Sequence, residues 1–285
     1  MDKRESTFGA LKVLPPWEWP PHAAETLIEI LQDPKRPTAD RITAAELAGE
    51  LPTKEDEISL ALLNVVAGES QPAELRARAA ISLGPVLEET DSEGFDEVYS
   101  EPPITRETFD QIKQTLRKVY SDQKAPKEVR RRALEASVRA HEDWHTDAIR
   151  AAAFSVDEDW KLTAAFCMRW VRGFDQQILM MIESKNPLIH REAVTAAGSW
   201  ELDAAWPHVA ALVESTKTEK QLLLAAIAAA GSIRPTEAHD VLDHLADSRD
   251  TEIAEAVEEA LMMADLGDED EDEDEEVDED DEEES

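Results

Sequence analysis

The sequence has one cysteine, two tyrosines and an aromatic content of only 5%. With Cys167 alone, no intrachain disulfide can form, and a reducing compartment is expected. Cys167 sits in Ala164-Ala165-Phe166-Cys167-Met168, where it reads as a small buried hydrophobe rather than a nucleophile. Few aromatics alongside abundant Ala, Leu, Glu and Arg favour close helix–helix contacts over a β-sandwich core. Long apolar runs are missing too: Leu222 to Ala230 is the longest and is too short to span a bilayer. The start, Met1-Asp2-Lys3-Arg4-Glu5-Ser6, lacks the apolar segment of a signal peptide, so a cytoplasmic chain is expected. Basic residues are scarce, 29 against 65 acids, for a net charge of −36. Sixteen of the acids lie between Asp268 and Glu284, leaving −20 on the remainder. Such a surface repels phosphate backbones and anionic membranes and suits basic partners, or simply solubility.

What the sequence does contain is a repeat. Five segments share a polar turn, often with Pro, then an apolar residue, a basic residue and an Ala-rich run. They are Thr38 to Ala45, Pro72 to Ala80, Pro126 to Ala133, Asp157 to Ala164 and Pro187 to Ala193. Arg41, Arg76, Arg130 and Lys161 fill the basic slot, with His190 in the fifth copy; Asp40 takes the apolar slot of the first. Weaker copies surround Ala225 and Val257. Taking the residue three places after the basic slot as anchor gives 44, 79, 133, 164, 193, 225 and 257, with one long interval of 54 that implies an insertion. Apolar sets such as Leu27, Ile28, Ile30 and Leu31, or Ile58, Leu62, Val65 and Val66, supply a first helix before each Ala-rich second helix. Gly49, Gly84 and Gly198 each fall five residues after an anchor, where a small residue permits close packing or a helix end. Neither helix of a pair can bury its stripe alone; stacking the pairs does.

The grammar Pro-x-x-Val/Leu-Arg-x-x-Ala, complete in Pro72 to Ala79 and Pro126 to Ala133, resembles the HEAT and bilin-lyase-like HEAT families. The chain is also similar to bacterial HEAT proteins that open on Trp-x-Trp-Pro, here Trp17-Glu18-Trp19-Pro20. The resemblance implies an all-α solenoid, a right-handed superhelix of about seven helical pairs over residues 22–266. Residues 1–21 are expected as an extended cap in which the two Trp rings cover the first repeat. Residues 90–103 are an acidic loop insertion carrying Phe95 and Tyr99, and 267–285 a disordered acidic tail.

Chemistry is sparse. His141-Glu142-Asp143-Trp144-His145 matches His-Glu-x-x-His, which on one helix would set two zinc ligands and a general base together. The repeat register instead places it across a helix end, with Asp143 available as an N-cap. His141-Glu142 is similar to the His-Glu pairs with which HEAT-fold deoxyhypusine hydroxylases bind two irons. That family needs several such pairs and no second one occurs here, so the reading is set aside. Alkylpurine DNA glycosylases also use HEAT-like helices with Trp and Asp; Trp144, Trp160 and Trp170 are the right residue types, but the acidic body opposes DNA. The recurring basic slot is expected to form a ladder with acids of neighbouring turns.

From sequence alone, then, the expected function is a non-catalytic scaffold or adaptor that binds a protein partner. Trp144, Trp170, Trp206, Arg130, Arg131, Phe95 and Tyr99 are its candidate contact residues. No cofactor, nucleic acid or membrane is expected, and the chain is expected to be a monomer. An acidic-tail chaperone for basic proteins, or a metal enzyme centred on His141 and His145, are the alternatives.

Overall fold

The computed structural model describes the backbone of residues 3–52, 55–95 and 101–280, and side chains over 6–52, 55–95 and 101–265. Every regular element among the described residues is helical. The chain divides into two compact units, Met1–Ala148 and Ile149–Ser285.

The first unit opens on α1 (Lys3–Leu11), followed by a 3-10 turn at Pro16–Glu18. Residues 1–21 were expected to be extended, but α1 ends before the first proline, so no ring interrupts its hydrogen bonds. Phe8 and Leu11 of α1 are buried in the core, while Trp17 is 80% exposed. The first repeat is therefore covered by α1 rather than by a pair of indoles. Trp19 is half-buried and donates from Nε1 to the Leu14 carbonyl at 2.9 Å.

Helices α2 (Ala23–Gln32) and α3 (Thr38–Gly49) form the first pair, and α4 (Asp56–Ala67) and α5 (Ala73–Ser82) the second. The long interval then holds a whole extra helix, α6 (Gly84–Glu93), so the stretch expected as a loop from residue 90 begins inside a helix. Its Val86 and Leu87 are buried. Next come α7 (Arg106–Ser121), N-capped by the Thr105 hydroxyl, and its partner α8 (Lys127–Ser137). The second helices stack in succession, α3 on α5 and α5 on α8, and the first helices do likewise, α2 on α4 and α4 on α7.

The boundary between the units falls within α9 (Trp144–Ala153). The second unit continues with α10 (Glu158–Cys167), α11 (Asp175–Met181), α12 (Pro187–Ser199), α13 (Trp206–Glu214), α14 (Lys220–Ile233), α15 (Pro235–Ala246) and α16 (Thr251–Asp280). Here α11 packs on α12, α13 on α14 and α15 on α16, while α10, α12, α14 and α16 stack in turn. Helix α16 runs to Asp280, so the backbone of 267–280, expected as part of a disordered tail, is helical; the side chains from Leu266 and residues 281–285 lie outside the described residues.

The anchors explain the stacking. Ala44, Ala79, Ala133, Ala164 and Ala193 are all buried, as is Val257. In the sixth copy the buried residue is Ala226 rather than Ala225. That one-residue shift places Gly231 five positions after its anchor, as Gly198 follows Ala193. Both glycines mark backbone contact between second helices. A Cβ built on Gly198 would lie 2.8 Å from Ala229 Cα, and one on Gly231 2.6 Å from the Ala260 carbonyl oxygen.

Candidate functional site

The His-Glu-x-x-His stretch does straddle a helix end, since α9 starts at Trp144. His145 is fully buried. Its Nδ1 accepts the Glu142 backbone N–H at 2.8 Å, which leaves the proton on Nε2, 3.0 Å from the Ser137 hydroxyl. Burial, reinforced by the neighbouring His141 charge, pushes its pKa down to about 4. One ring nitrogen is committed to a backbone amide and the other carries the proton, so neither offers a lone pair to a metal. His141 is exposed. The alternative of a metal enzyme here is corrected on those donors: His145 ties the end of α8 to the start of α9. Burial pushes the Glu142 carboxyl up, but the Trp144 indole N–H, at 2.9 Å, and the Lys113 charge outweigh it and leave the pKa below the usual value. Among the described residues no group of three or more His, Cys, Asp and Glu side chains is placed to hold a metal ion.

The basic slot reaches the helix ends in the first unit. Arg41 donates to the Leu31 carbonyl from Nε at 3.0 Å and Nη2 at 2.7 Å. Arg76 Nε reaches the Val66 carbonyl at 2.9 Å, and Arg130 Nε the Tyr120 carbonyl at 2.9 Å. Each acceptor lies ten residues back, as the next-to-last residue of the preceding first helix. There the carbonyls lack an intrahelical donor and the helix dipole favours a cation. The expected ladder of ion pairs is thus a ladder of helix C-caps.

In the second unit the ladder lapses. Lys161 pairs with Glu158 on its own helix at 2.7 Å. His190 stands ten residues after Met180, the next-to-last residue of α11, yet turns away to His208, Nε2 to Nε2 at 2.8 Å. Glu183 lies 3.5 Å from the other nitrogen of His208. Burial, and then the His208 charge, holds His190 below its ordinary pKa. Helix α11 also has no basic residue in its last turn.

A groove of about 330 Å³ opens beside that helix end, its walls including Phe154, Lys161, Met180, Met181, Ser184 and Ile189. Phe154 is 69% and Met180 63% exposed, and close to them in sequence Val156 is 97% and Leu188 46% exposed. Sequence reasoning missed all four. The signal available was Phe154-Ser155-Val156, apolar residues placed in a turn just before the acidic N-cap Asp157.

Trp144 is half-buried against Tyr120 and His145, with ring centroids 5.3 Å and 3.9 Å away. Arg131 is buried between Glu128 and Glu135, so it offers no basic surface. Phe95 packs edge-on against Phe109 at 5.6 Å beneath the Arg106 guanidinium. Tyr99 lies outside the described residues. Trp170 stacks on Phe166, and Trp206 lies under Arg234. Trp200, which the sequence did not single out, donates to the Met168 carbonyl at 2.6 Å.

No family model matches the chain, and no curated protein matches it in sequence. Solved structures do resemble it. Human deoxyhypusine hydroxylase, solved in complex with glycerol, is 17% identical, with a TM-score of 0.38 over 85% of this chain and 96% of its own. The Escherichia coli protein YibA is 17% identical, with a TM-score of 0.44 over 92% of this chain and 93% of its own. The all-α, HEAT-like fold of this chain stands on its own helical pairs and their stacking within each unit.

One expectation is corrected by these structures. A non-catalytic scaffold, and with it a chain that is no enzyme, was inferred from repeat architecture; human deoxyhypusine hydroxylase is an enzyme on a fold of this class, so the architecture does not support that inference. No helix among the described residues is long and apolar enough to cross a membrane.

Proposed function

We propose that the protein recognises a cationic polypeptide segment on its acidic helical surface. The observation that carries this reading is the surplus of carboxylates: with 65 acids and 29 bases, most acids have no lysine or arginine to pair with. Several of the bases are already engaged. Arg41 and Arg76 cap helices, while Arg78, Arg139, Lys220 and Arg234 pair with Glu46, Glu88, Asp250 and Asp203. In residues 149–265, twenty acids face ten bases. Such a surface draws cations by long-range attraction and repels nucleic acid and anionic lipid. Assignment of the repeats to the bilin-lyase-like branch of HEAT, on Pro72 to Ala79 and Pro126 to Ala133, belongs to the same proposal. So does a cytoplasmic location, which suits a chain with a single cysteine.

Calorimetric titration of the full chain with polylysine, polyglutamate and duplex DNA tests the reading. Polylysine should bind at low salt and weaken steeply as ionic strength rises. Absence of polylysine binding, or equal binding of DNA, would overturn it.

A further inference from the structure

We propose that the groove beside α11 is a docking site for one amphipathic, basic helix of a protein partner, a reading that rests on cationic-segment recognition and gives it a place. Three observations converge there. The first is apolar. Phe154 and Met180 on the groove wall hold much of their area in water, so a partner that covers them removes apolar surface from solvent. Methionines at such a surface adapt to the shape of what they meet, as in other grooves that take a helix by its apolar face.

The second is charge. Asp157, Glu158 and Asp159 follow Val156 directly, Asp175 opens α11, and Glu183, beside His208, follows it ahead of the exposed Lys185. Lys161 on the groove wall is already neutralised by Glu158 at 2.7 Å. Flanking lysines or arginines on a docked helix would therefore meet carboxylates.

The third concerns the end of α11. In the first unit, α2, α4 and α7 each carry an arginine on the carbonyl of their next-to-last residue. At α11 that position belongs to His190, which is spent on His208, and Met180 and Met181 form part of the groove wall instead. A partner's basic side chain would supply the cation that the first unit provides from within.

The test uses three peptides: one with Leu at helical spacing and Lys elsewhere, a scrambled isomer of equal charge, and a version with Glu in place of Lys. The full chain should bind the first at least about tenfold more tightly than the other two. Phe154→Ser with Met180→Ser should erase that preference. Both side chains are exposed, so the thermal transition should not move, which separates loss of docking from loss of fold. If the scrambled isomer binds as well as the ordered one, the groove proposal fails while cationic recognition stands. If neither cationic peptide binds, both fail. A self-associating chain that the double variant returns to monomer in sedimentation would mean that a second copy fills the groove, and would also overturn the proposal.

Discussion

Acid is the sharpest probe of the turn that joins α8 to α9. His145 is held neutral in the folded chain with its pKa pushed down to about 4, against 6.5 for an ordinary histidine. The unfolded chain therefore takes up the proton at a higher pH than the folded one. Above pH 7 both states are neutral and the effect vanishes. As pH falls through 6.5 the unfolded state gains, and the loss of stability levels off only below 4. Worked through linkage, that difference costs about 2 kcal/mol at pH 5 and about 3 kcal/mol at its limit. Urea unfolding from pH 8 to 5 on the wild type and on His145→Asn isolates the contribution, because the many carboxylates titrate alike in both. At pH 8 the variant should be weaker by about 1–2 kcal/mol, since Asn keeps an acceptor for the Glu142 amide but abandons the Ser137 hydroxyl. By pH 5 the two should converge, the wild type having paid for its neutral ring. Parallel profiles, or a histidine NMR titration of residue 145 near 6.5, would refute the buried neutral tautomer.

Two further substitutions test the stacking. Gly198→Ala sets the helix-propensity gain of about 1 kcal/mol against forcing a methyl group within 2.8 Å of Ala229 Cα, an overpacking cost of about 1–3 kcal/mol. It should lower the urea midpoint, whereas Gly9→Ala, with open space around it, should raise it; a rise in both would mean that α12 and α14 are not in backbone contact. Arg76→Met keeps the buried stem but strips the Val66 carbonyl of its charged donor and should cost about 2 kcal/mol, while Arg78→Met, which loses only an exposed ion pair to Glu46, should cost less than about 1 kcal/mol. Equal losses in urea unfolding would return the basic slot to ordinary surface pairing.

What the sequence settled by itself is the local part. Apolar spacing at three and four, the Ala anchors and the recurring basic slot are properties of single helices, so the paired-helix, HEAT-like architecture was legible without coordinates. Helix α1 was missed because the prolines that argue against helix begin only at Pro15. Helix α6 was missed because its acidic second half reads as solvated loop. Tertiary structure decided everything that depends on which neighbour a side chain meets. Arg41, Arg76 and Arg130 reach carbonyls because the turn between the helices folds each guanidinium back onto the end of the helix before it. Ala226 replaces Ala225 because only the contact with neighbouring helices tells which of two adjacent alanines faces inward. His145 lost its apparent metal chemistry to the Glu142 amide and Ser137, and His190 left its ladder position for His208. The groove at Phe154 and Met180 exists only once separate helix ends are brought side by side, a condition that no periodicity along one chain can express.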